Sequence, residues 1–218
     1  MKLKKKLYVS IAGLGVGERH LNFLKKNKNI NVISIFDTDV KKLKKISQKY
    51  NVKFVNSFKD VTLEKKTNLI VVASPDHFHA QQIIDCIKAK KNIFIEKPIC
   101  NNLNDLNLII RYWKKNKTTS KIRSNLILRT APLFLWLKRK IDSNYFGQIY
   151  SIDAEYLYGR LSKFLNGWRG KTVDYSPMSG GGVHMIDLVC WLIQELPIEV
   201  FSESSNICSK EYQKKFKL

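Results

Sequence analysis

Hydrophobic positions in the first part of the chain follow two alternating patterns. Short runs rich in Val, Ile and Phe predict β-strands, and the segments between them repeat apolar residues at the three- and four-residue spacing of amphipathic helices. The predicted strands are 7–12, 32–36, 53–55, 69–74, 92–95 and 124–128, and the predicted helices are 18–26, 40–50, 78–89 and 103–115. Strands that alternate with helices indicate βαβ units, so this region predicts an α/β fold with a doubly wound parallel sheet.

The pattern changes after Arg129. The predicted elements are a helix at 132–142, which starts at a proline, a long alternating strand at 148–158, a loop at 159–181, an apolar helix at 183–193 and a strand at 198–202. Two strands are too few for a stable sheet. We therefore divide the chain into a doubly wound domain of residues 1–130 and an incomplete α+β domain of residues 131–218, expected to carry substrate and subunit contacts.

Length and apolar content favour a globular protein. With 218 residues and 44% hydrophobic side chains the chain can fill a core, which excludes a disordered tail. The apolar runs are strand-sized, far below the roughly 20 residues that cross a bilayer, so we expect no membrane contact. The basic region from Lys2 to Lys6, followed by apolar residues, imitates a secretory leader, but glycines interrupt the apolar part and we expect mature sequence. Four cysteines without CxxC spacing favour a reducing cytoplasm.

The charge of +21 raises nucleic acid as a partner, because basic side chains bind phosphates. However, 32 of the 39 basic residues are lysine and only 7 are arginine, the residue that reads bases and phosphates through two parallel hydrogen bonds. The lysines fall in short runs along the whole chain, with no interleaved aromatic residues. We therefore expect no specific nucleic-acid binding.

Glycines follow the first predicted strand directly. Gly13, Gly15 and Gly17 permit a tight turn, and they let backbone N–H groups at a helix start approach a pyrophosphate, as in a Rossmann domain. The usual spacing places the third glycine at position 18, which is Glu18, so the motif alone is weak. Asp37 ends the second strand, where a carboxylate accepts hydrogen bonds from an adenine ribose. Its charge would repel a 2′-phosphate, so we expect NAD as cofactor, with NADP disfavoured.

Two further strands end in polar residues at the same predicted sheet edge, where open α/β folds bind ligands. The residues expected to contact the cofactor there are Ser74, Pro75, His77, Glu96 and Lys97. An ammonium such as that of Lys97 can polarise a carbonyl or alkoxide oxygen during hydride transfer. His77 and His79 have the spacing of a zinc pair, but no third ligand lies nearby in the sequence, so we predict no metal. We expect His20, on the first helix, to be structural.

Four motifs follow one another along the chain: GLGVGERH, SPDHFHA, EKP and SGGGVHMIDL. Together they resemble the Gfo/Idh/MocA family of nicotinamide-dependent oxidoreductases, which act mainly on sugars, sugar derivatives and inositols. The resemblance runs from residue 7 to about residue 201. It implies that Lys97 lies beside both the nicotinamide and the substrate hydroxyl, and that the segment holding Ser74, Pro75 and His77 packs under the cofactor.

The resemblance also matches His184 to the catalytic histidine of the family. An imidazole titrates near neutral pH and can take a hydroxyl proton as hydride leaves the carbon. Many relatives carry an aspartate four residues earlier, where this chain has Gly180. Asp187, three residues after His184 on the same helix face, is an available carboxylate, although the helix dipole also explains an aspartate near a helix start. We expect both His184 and Asp187 to contact the substrate.

The loop before this helix holds further candidates for substrate binding: Tyr158, Arg160, Trp168 and Arg169. Two of the seven arginines within ten residues suggest bidentate recognition of a carboxylate or phosphate, with ordinary loop packing as the alternative. The YGR and GWRG segments resemble family members of polysaccharide and nucleotide-sugar pathways.

These observations favour an NAD-dependent oxidoreductase that acts on a ring hydroxyl or ketone of a sugar derivative, such as a nucleotide sugar or a uronate. We expect it to form a homo-oligomer if its second domain is complete. The alternative is a truncated, inactive relative that binds cofactor without turnover.

Overall fold

The computed structural model describes residues 6–116, 119–160, 162–171 and 175–205. The chain forms two compact units, residues 1–125 and residues 126–218. Cys208 and the lysines at positions 2, 4, 5, 210, 214, 215 and 217 lie outside the described residues.

The first unit is built on a five-stranded parallel sheet with the order β2-β1-β3-β4-β5. Its strands are β1 (Leu7–Ala12), β2 (Ile30–Phe36), β3 (Leu69–Val72), β4 (Asn92–Ile95) and β5 (Ile122–Ser124). Its helices are α1 (Gly17–Lys25), α2 (Val40–Tyr50), α3 (Phe58–Leu63), α4 (His79–Lys88) and α5 (Leu103–Lys115). The predicted α/β fold is confirmed.

Side-chain alternation along the strands supplies two cores, one on each face of the sheet. On β3, Ile70 and Val72 pack in the cluster beneath α3, α4 and α5, while Val71 packs in the other cluster with residues of α1 and α2. Because both faces are covered, the central strands read as continuous apolar runs. All five parallel strands end at the same edge, which therefore collects the segments that follow β1, β2, β3 and β4.

Two predicted strands need correction, and one helix is additional to the predicted elements. The strand expected at 53–55 is reduced to a single bridge between Phe54 and Ile35. The strand expected at 124–128 ends at Ser124, because the chain turns into a 3₁₀ helix at Ile127–Thr130. The short helix α3 was not predicted, and the side chain of Ser57 caps it by accepting a hydrogen bond from the backbone of Asp60.

The described part of the second unit contains helices: α6 (Pro132–Asp142), α7 (Ser162–Leu165), α8 (Gly167–Lys171), a π-helical turn (Met178–Gly182) and α9 (Val183–Ile193). The strands expected at 148–158 and 198–202 are wrong, since neither segment forms a ladder among the described residues. A strand needs a partner for its backbone hydrogen bonds, and alternation alone does not supply one. The loop expected at 159–181 is partly helical. Tyr150 and Leu157 are 97% and 90% exposed.

No helix in the described ranges is long and apolar enough to cross a membrane. Cys86, Cys100 and Cys190 are free thiols. Burial raises the pKa of both the Cys86 and the Cys100 thiol, so neither is ionised near neutral pH.

Candidate functional site

The glycine turn, residues 13–17, connects β1 to α1 and requires glycine for two separate reasons. Gly13 has φ +85°, and a Cβ there would lie 2.4 Å from the backbone of Ala73 and Ser74. At Gly17 a Cβ would lie 3.2 Å from Ile11, so α1 packs closely on the sheet. These are the close approaches that a dinucleotide-binding turn needs.

Gly15 differs, because a Cβ there would meet nothing within 4 Å. The turn is therefore open at this position and leaves room for a ligand to approach the backbone. Val16 occupies the N-cap of the nine-residue helix α1, and its apolar side chain supplies no capping group. The open turn and the helix start fit the pyrophosphate of a dinucleotide.

Asp37 lies directly after β2 and is 8% exposed. Its Oδ2 accepts a hydrogen bond of 2.6 Å from the N–H of Leu14 in the glycine turn, and its Oδ1 accepts one of 2.8 Å from the N–H of Asp39. The Nζ of Lys42 lies 2.8 Å from the same Oδ2. The carboxylate is thus held beside the glycine turn, at the position where a ribose contact was predicted.

The segment after β3 is joined to the segment after β4 by a buried histidine. His79 is 0% exposed, and its Nδ1 and Nε2 lie 2.6 and 2.9 Å from the carbonyl oxygens of Pro98 and Ser74. Ser74 also donates its hydroxyl hydrogen to Gln82. His77 is exposed and packs against the ring of Phe78.

The two histidines therefore have different surroundings, since His79 is buried against two carbonyl oxygens and His77 is exposed. No group of His, Cys, Asp and Glu in the described ranges has the arrangement of a metal site. His79 instead holds the segment after β3 at a fixed distance from the segment after β4. Its burial and its two short hydrogen bonds are consistent with this structural role.

Glu96 follows β4 and is anchored on both sides. Its Oε1 accepts hydrogen bonds from His20 Nε2 on α1, at 2.7 Å, and from Asn125 Nδ2 after β5, at 2.8 Å. Burial works to raise the pKa of Glu96, but these hydrogen bonds and the charges of His20 and Lys97 outweigh it and leave that pKa below its usual value. The ionised carboxylate therefore stabilises this segment.

Lys97 is half-buried, and the Lys97–Pro98 peptide is cis. In the sequence this lysine lies between the anchored Glu96 and Pro98, whose carbonyl oxygen contacts His79. The backbone on each side of the lysine is therefore tied to neighbouring elements of the sheet edge. A side chain on a fixed backbone is positioned with less loss of entropy.

In the second unit, His184 is in the first turn of α9, directly after the π-helical turn, and its Nδ1 is buried. Asp187, on the next turn, accepts two hydrogen bonds from the guanidinium of Arg129, one of them 2.8 Å from Nε. This pairing raises the pKa of Arg129. Arg129 also lies over the ring of Trp191, so its main role is to fasten the 3₁₀ helix to α9. A substrate contact of Asp187 stays a prediction.

Glycines in the π-helical turn admit a tyrosine ring. A Cβ at Gly180 would lie 2.3 Å from the Oη of Tyr175, so the hydroxyl fills the space in which a longer side chain would begin. Arg169 Nε donates a hydrogen bond of 3.0 Å to that hydroxyl, and its guanidinium lies 4.3 Å from the centre of the Trp168 ring. Trp168 and Arg169 thus form one cluster with Tyr175.

The other two loop candidates are Tyr158 and Arg160. Tyr158 is half-buried and stacks on Tyr156, with ring centres 6.0 Å apart, and Arg160 is exposed. Their roles in substrate binding stay predictions.

Two family models match the chain. The model of the oxidoreductase family with an NAD-binding Rossmann fold, Gfo/Idh/MocA, matches residues 7–123, and the model of the Gfo/Idh/MocA C-terminal domain matches residues 134–214. The chain belongs to the Gfo/Idh/MocA oxidoreductase family.

Among Gfo/Idh/MocA relatives, myo-inositol 2-dehydrogenase of Thermotoga maritima is 25% identical over 94% of this chain and 60% of its own length. The structure of myo-inositol 2-dehydrogenase from Lactobacillus plantarum has a TM-score of 0.84 at 22% identity, over 96% of this chain and 63% of that one. Scyllo-inositol dehydrogenase from Lactobacillus casei, with bound NAD(H) and scyllo-inositol, has a TM-score of 0.75 at 21% identity, over 87% and 57%. The chain spans about 60% of the length of the relatives it matches.

Sequence reasoning missed four residues of this Gfo/Idh/MocA chain: Lys42, Asn125, Arg129 and Tyr175. Asn125 and Glu96 are 29 residues apart in the sequence, and Arg129 and Asp187 are 58 residues apart. No local sequence pattern therefore predicts either pair. Lys42 follows Asp37 by five residues within a lysine run, and nothing in that run marks it out.

Proposed function

We propose that the protein is an NAD-dependent dehydrogenase or reductase that acts on a ring hydroxyl or ketone of a sugar-like polyol. The observation that carries this proposal is the sheet edge of the first unit. There the open glycine turn, the carboxylate of Asp37 and a half-buried Lys97 on an anchored backbone follow β1, β2 and β4 respectively.

We assign most of the named residues of the first unit to cofactor binding, and Lys97 to the hydride-transfer reaction. The glycine turn would hold the pyrophosphate, and Asp37 would face the adenine ribose, which supports NAD over NADP. Ser74, Pro75 and His77 follow β3 at the same edge, so we assign them to the cofactor as well. A bound nicotinamide supplies hydride acceptance and donation. The ammonium of Lys97 stabilises negative charge that develops on the substrate oxygen.

For the proton we propose His184. An imidazole near the start of a helix accepts the hydroxyl proton during oxidation and returns it during reduction. Support for this role comes from its position in the first turn of α9, directly after the π-helical turn, where its Nδ1 is buried.

For the substrate we propose a cyclic polyol, which the inositol dehydrogenases among the relatives support. The narrower candidates are a nucleotide sugar or a uronate. Arg160 and Arg169 favour these, because guanidinium groups bind carboxylates and phosphates. We assign Tyr158 and Trp168, from the same loop, to substrate binding as well.

We further propose a cytoplasmic location and self-association through the second unit. The free cysteines support the first. The exposed side chains of Tyr150 and Leu157 support the second.

The test is a titration of the protein with NADH followed by fluorescence, and then a turnover assay with NAD and a panel of myo-inositol, scyllo-inositol and a hexuronate. We expect NADH to bind and at least one of the ring substrates to reduce NAD. Lys97→Met should abolish turnover and change NADH affinity by less than about fivefold, because the charge matters mainly where oxyanion character develops.

Lys114→Met is the matched control, since Lys114 is exposed in the last turn of α5. Near-normal turnover of Lys97→Met would contradict the assignment of the lysine. NADH binding without turnover of any substrate would instead support the inactive alternative.

A further inference from the structure

The hydrogen-bonding capacity of Asp37 is almost used up. A carboxylate offers about four lone-pair positions on its two oxygens. Two positions on Oδ2 are occupied, by the N–H of Leu14 at 2.6 Å and by Nζ of Lys42 at 2.8 Å. One position on Oδ1 is occupied, by the N–H of Asp39 at 2.8 Å. The two hydroxyls of a free ribose would therefore find one open position unless a present donor leaves.

The three donors differ in how easily they leave. The N–H groups of Leu14 and Asp39 belong to the backbone, and moving them would open the glycine turn or the start of α2. Lys42 is a long side chain, 37% exposed, that rotates into solvent at little cost. It is therefore the one contact of Asp37 that a ligand can displace or share.

A cavity adjoins Asp37, and its lining is partly apolar and partly polar. This cavity of about 630 Å³ lies between the end of β2, the start of α2 and residues 54–56. Asp37 is the only carboxylate among its lining residues, all of which belong to the described part of the chain. Four of the other lining residues are apolar: Phe36, Val40, Leu43 and Phe54. The remaining three, Lys44, Thr38 and Asn56, have side chains that can donate hydrogen bonds to phosphate oxygens.

We propose that Lys42 determines how strongly the protein prefers NADH over NADPH. This proposal rests on the proposed function. The ammonium of Lys42 neutralises Asp37 and competes with the ribose hydroxyls for Oδ2. It also supplies a cation for a 2′-phosphate, so the protein binds NADPH as a second, weaker cofactor. Asp37 alone sets a preference for NADH, and Lys42 reduces it.

The experiment measures the dissociation constants of NADH and NADPH by fluorescence titration at low and at physiological salt. The variants are Lys42→Gln, Lys42→Arg and the control Lys45→Gln, which removes the same charge from an exposed position one turn further along α2. We expect Lys42→Gln to raise the NADPH-to-NADH ratio of dissociation constants at least tenfold, because an unscreened carboxylate then faces the phosphate. Lys42→Arg should restore the original ratio within about threefold.

The salt dependence provides a second readout. NADPH binding to the unmodified protein should weaken with salt more steeply than NADPH binding to Lys42→Gln, since salt screens an attraction that the variant lacks. A ratio unchanged within twofold in Lys42→Gln, or changed equally by Lys45→Gln, would overturn the role of Lys42 and leave the proposed function standing. Failure of the unmodified protein to bind either cofactor would overturn both.

Discussion

Two substitutions in the glycine turn should separate effects on cofactor binding from effects on stability, because only one of them should destabilise the fold. In Gly13→Ala the new Cβ lies 2.4 Å from Ala73 C, Ala73 O and Ser74 N, whereas ordinary contacts are 3.4–4 Å. All three atoms are backbone at the end of β3, and they have no rotamer by which to move away. The turn or the strand end must therefore shift by about 1 Å, the difference between the two distances.

Two costs follow for Gly13→Ala. Alanine at φ +85° costs about 1–2 kcal/mol, and overpacking against rigid surroundings costs about 1–3 kcal/mol more. Loss of chain freedom in the unfolded state returns about 0.4–1 kcal/mol. We expect a net loss of about 2–4 kcal/mol in the free energy of unfolding, with weaker NADH binding because the Leu14 N–H that holds Asp37 moves too.

Gly15→Ala is the matched control, since its Cβ meets no atom within 4 Å and its φ is not positive. Its unfolding free energy should stay within about 1 kcal/mol of the parent value. Its NADH affinity should fall at least tenfold, because the methyl group enters the space left for the pyrophosphate. Urea unfolding followed by far-UV circular dichroism, together with NADH titration, measures both quantities. Equal stability losses in the two variants would show that the contacts of Gly13 do not limit stability, and undiminished NADH binding in Gly15→Ala would show that the pyrophosphate does not lie at Gly15.

Three further outcomes are expected. The pKa of Glu96 is lowered in the folded protein, so its contribution to stability is present above the usual value of 4.5 and is lost as pH falls below it. The urea midpoint of the parent should therefore exceed that of Glu96→Gln at neutral pH and converge with it in acid, and a constant gap would contradict this sign. Asp187→Asn should lower the unfolding free energy by about 1 kcal/mol, a modest value because Arg129 is 41% exposed, and an unchanged urea midpoint would show the ion pair to be unimportant. Gly180→Ala should cost about 1–3 kcal/mol by displacing Tyr175, and thermal unfolding should show most of that loss recovered in a Tyr175→Ala background rather than added to it.

Much of the first unit was predictable because its determinants are local. Alternation of apolar runs with amphipathic segments requires strands and helices in turn, and β1, β4, α2 and α5 have the predicted bounds. The motifs also place Gly13, Asp37 and Lys97 after strand ends, so their arrival at one sheet edge follows from parallel topology.

The second unit shows where local pattern stops being sufficient. Helices α6 and α9 formed as predicted, since a helix makes its hydrogen bonds within its own segment. The segments at 148–158 and 198–202 have equally clear patterns, but a strand must find its partner elsewhere, and no partner strand is described.

The fold class of the first unit, the family and the identities of the chemical groups all follow from the amino-acid sequence. The tertiary structure alone decided which groups face one another: His79 joins Ser74 to Pro98, Glu96 meets His20 and Asn125, and Lys42 shares Asp37 with the glycine turn. The physical reason is that side-chain hydrogen bonds form over about 3 Å, whereas their partners here are up to 76 residues apart in the chain. Periodicity and propensity carry no information over such separations.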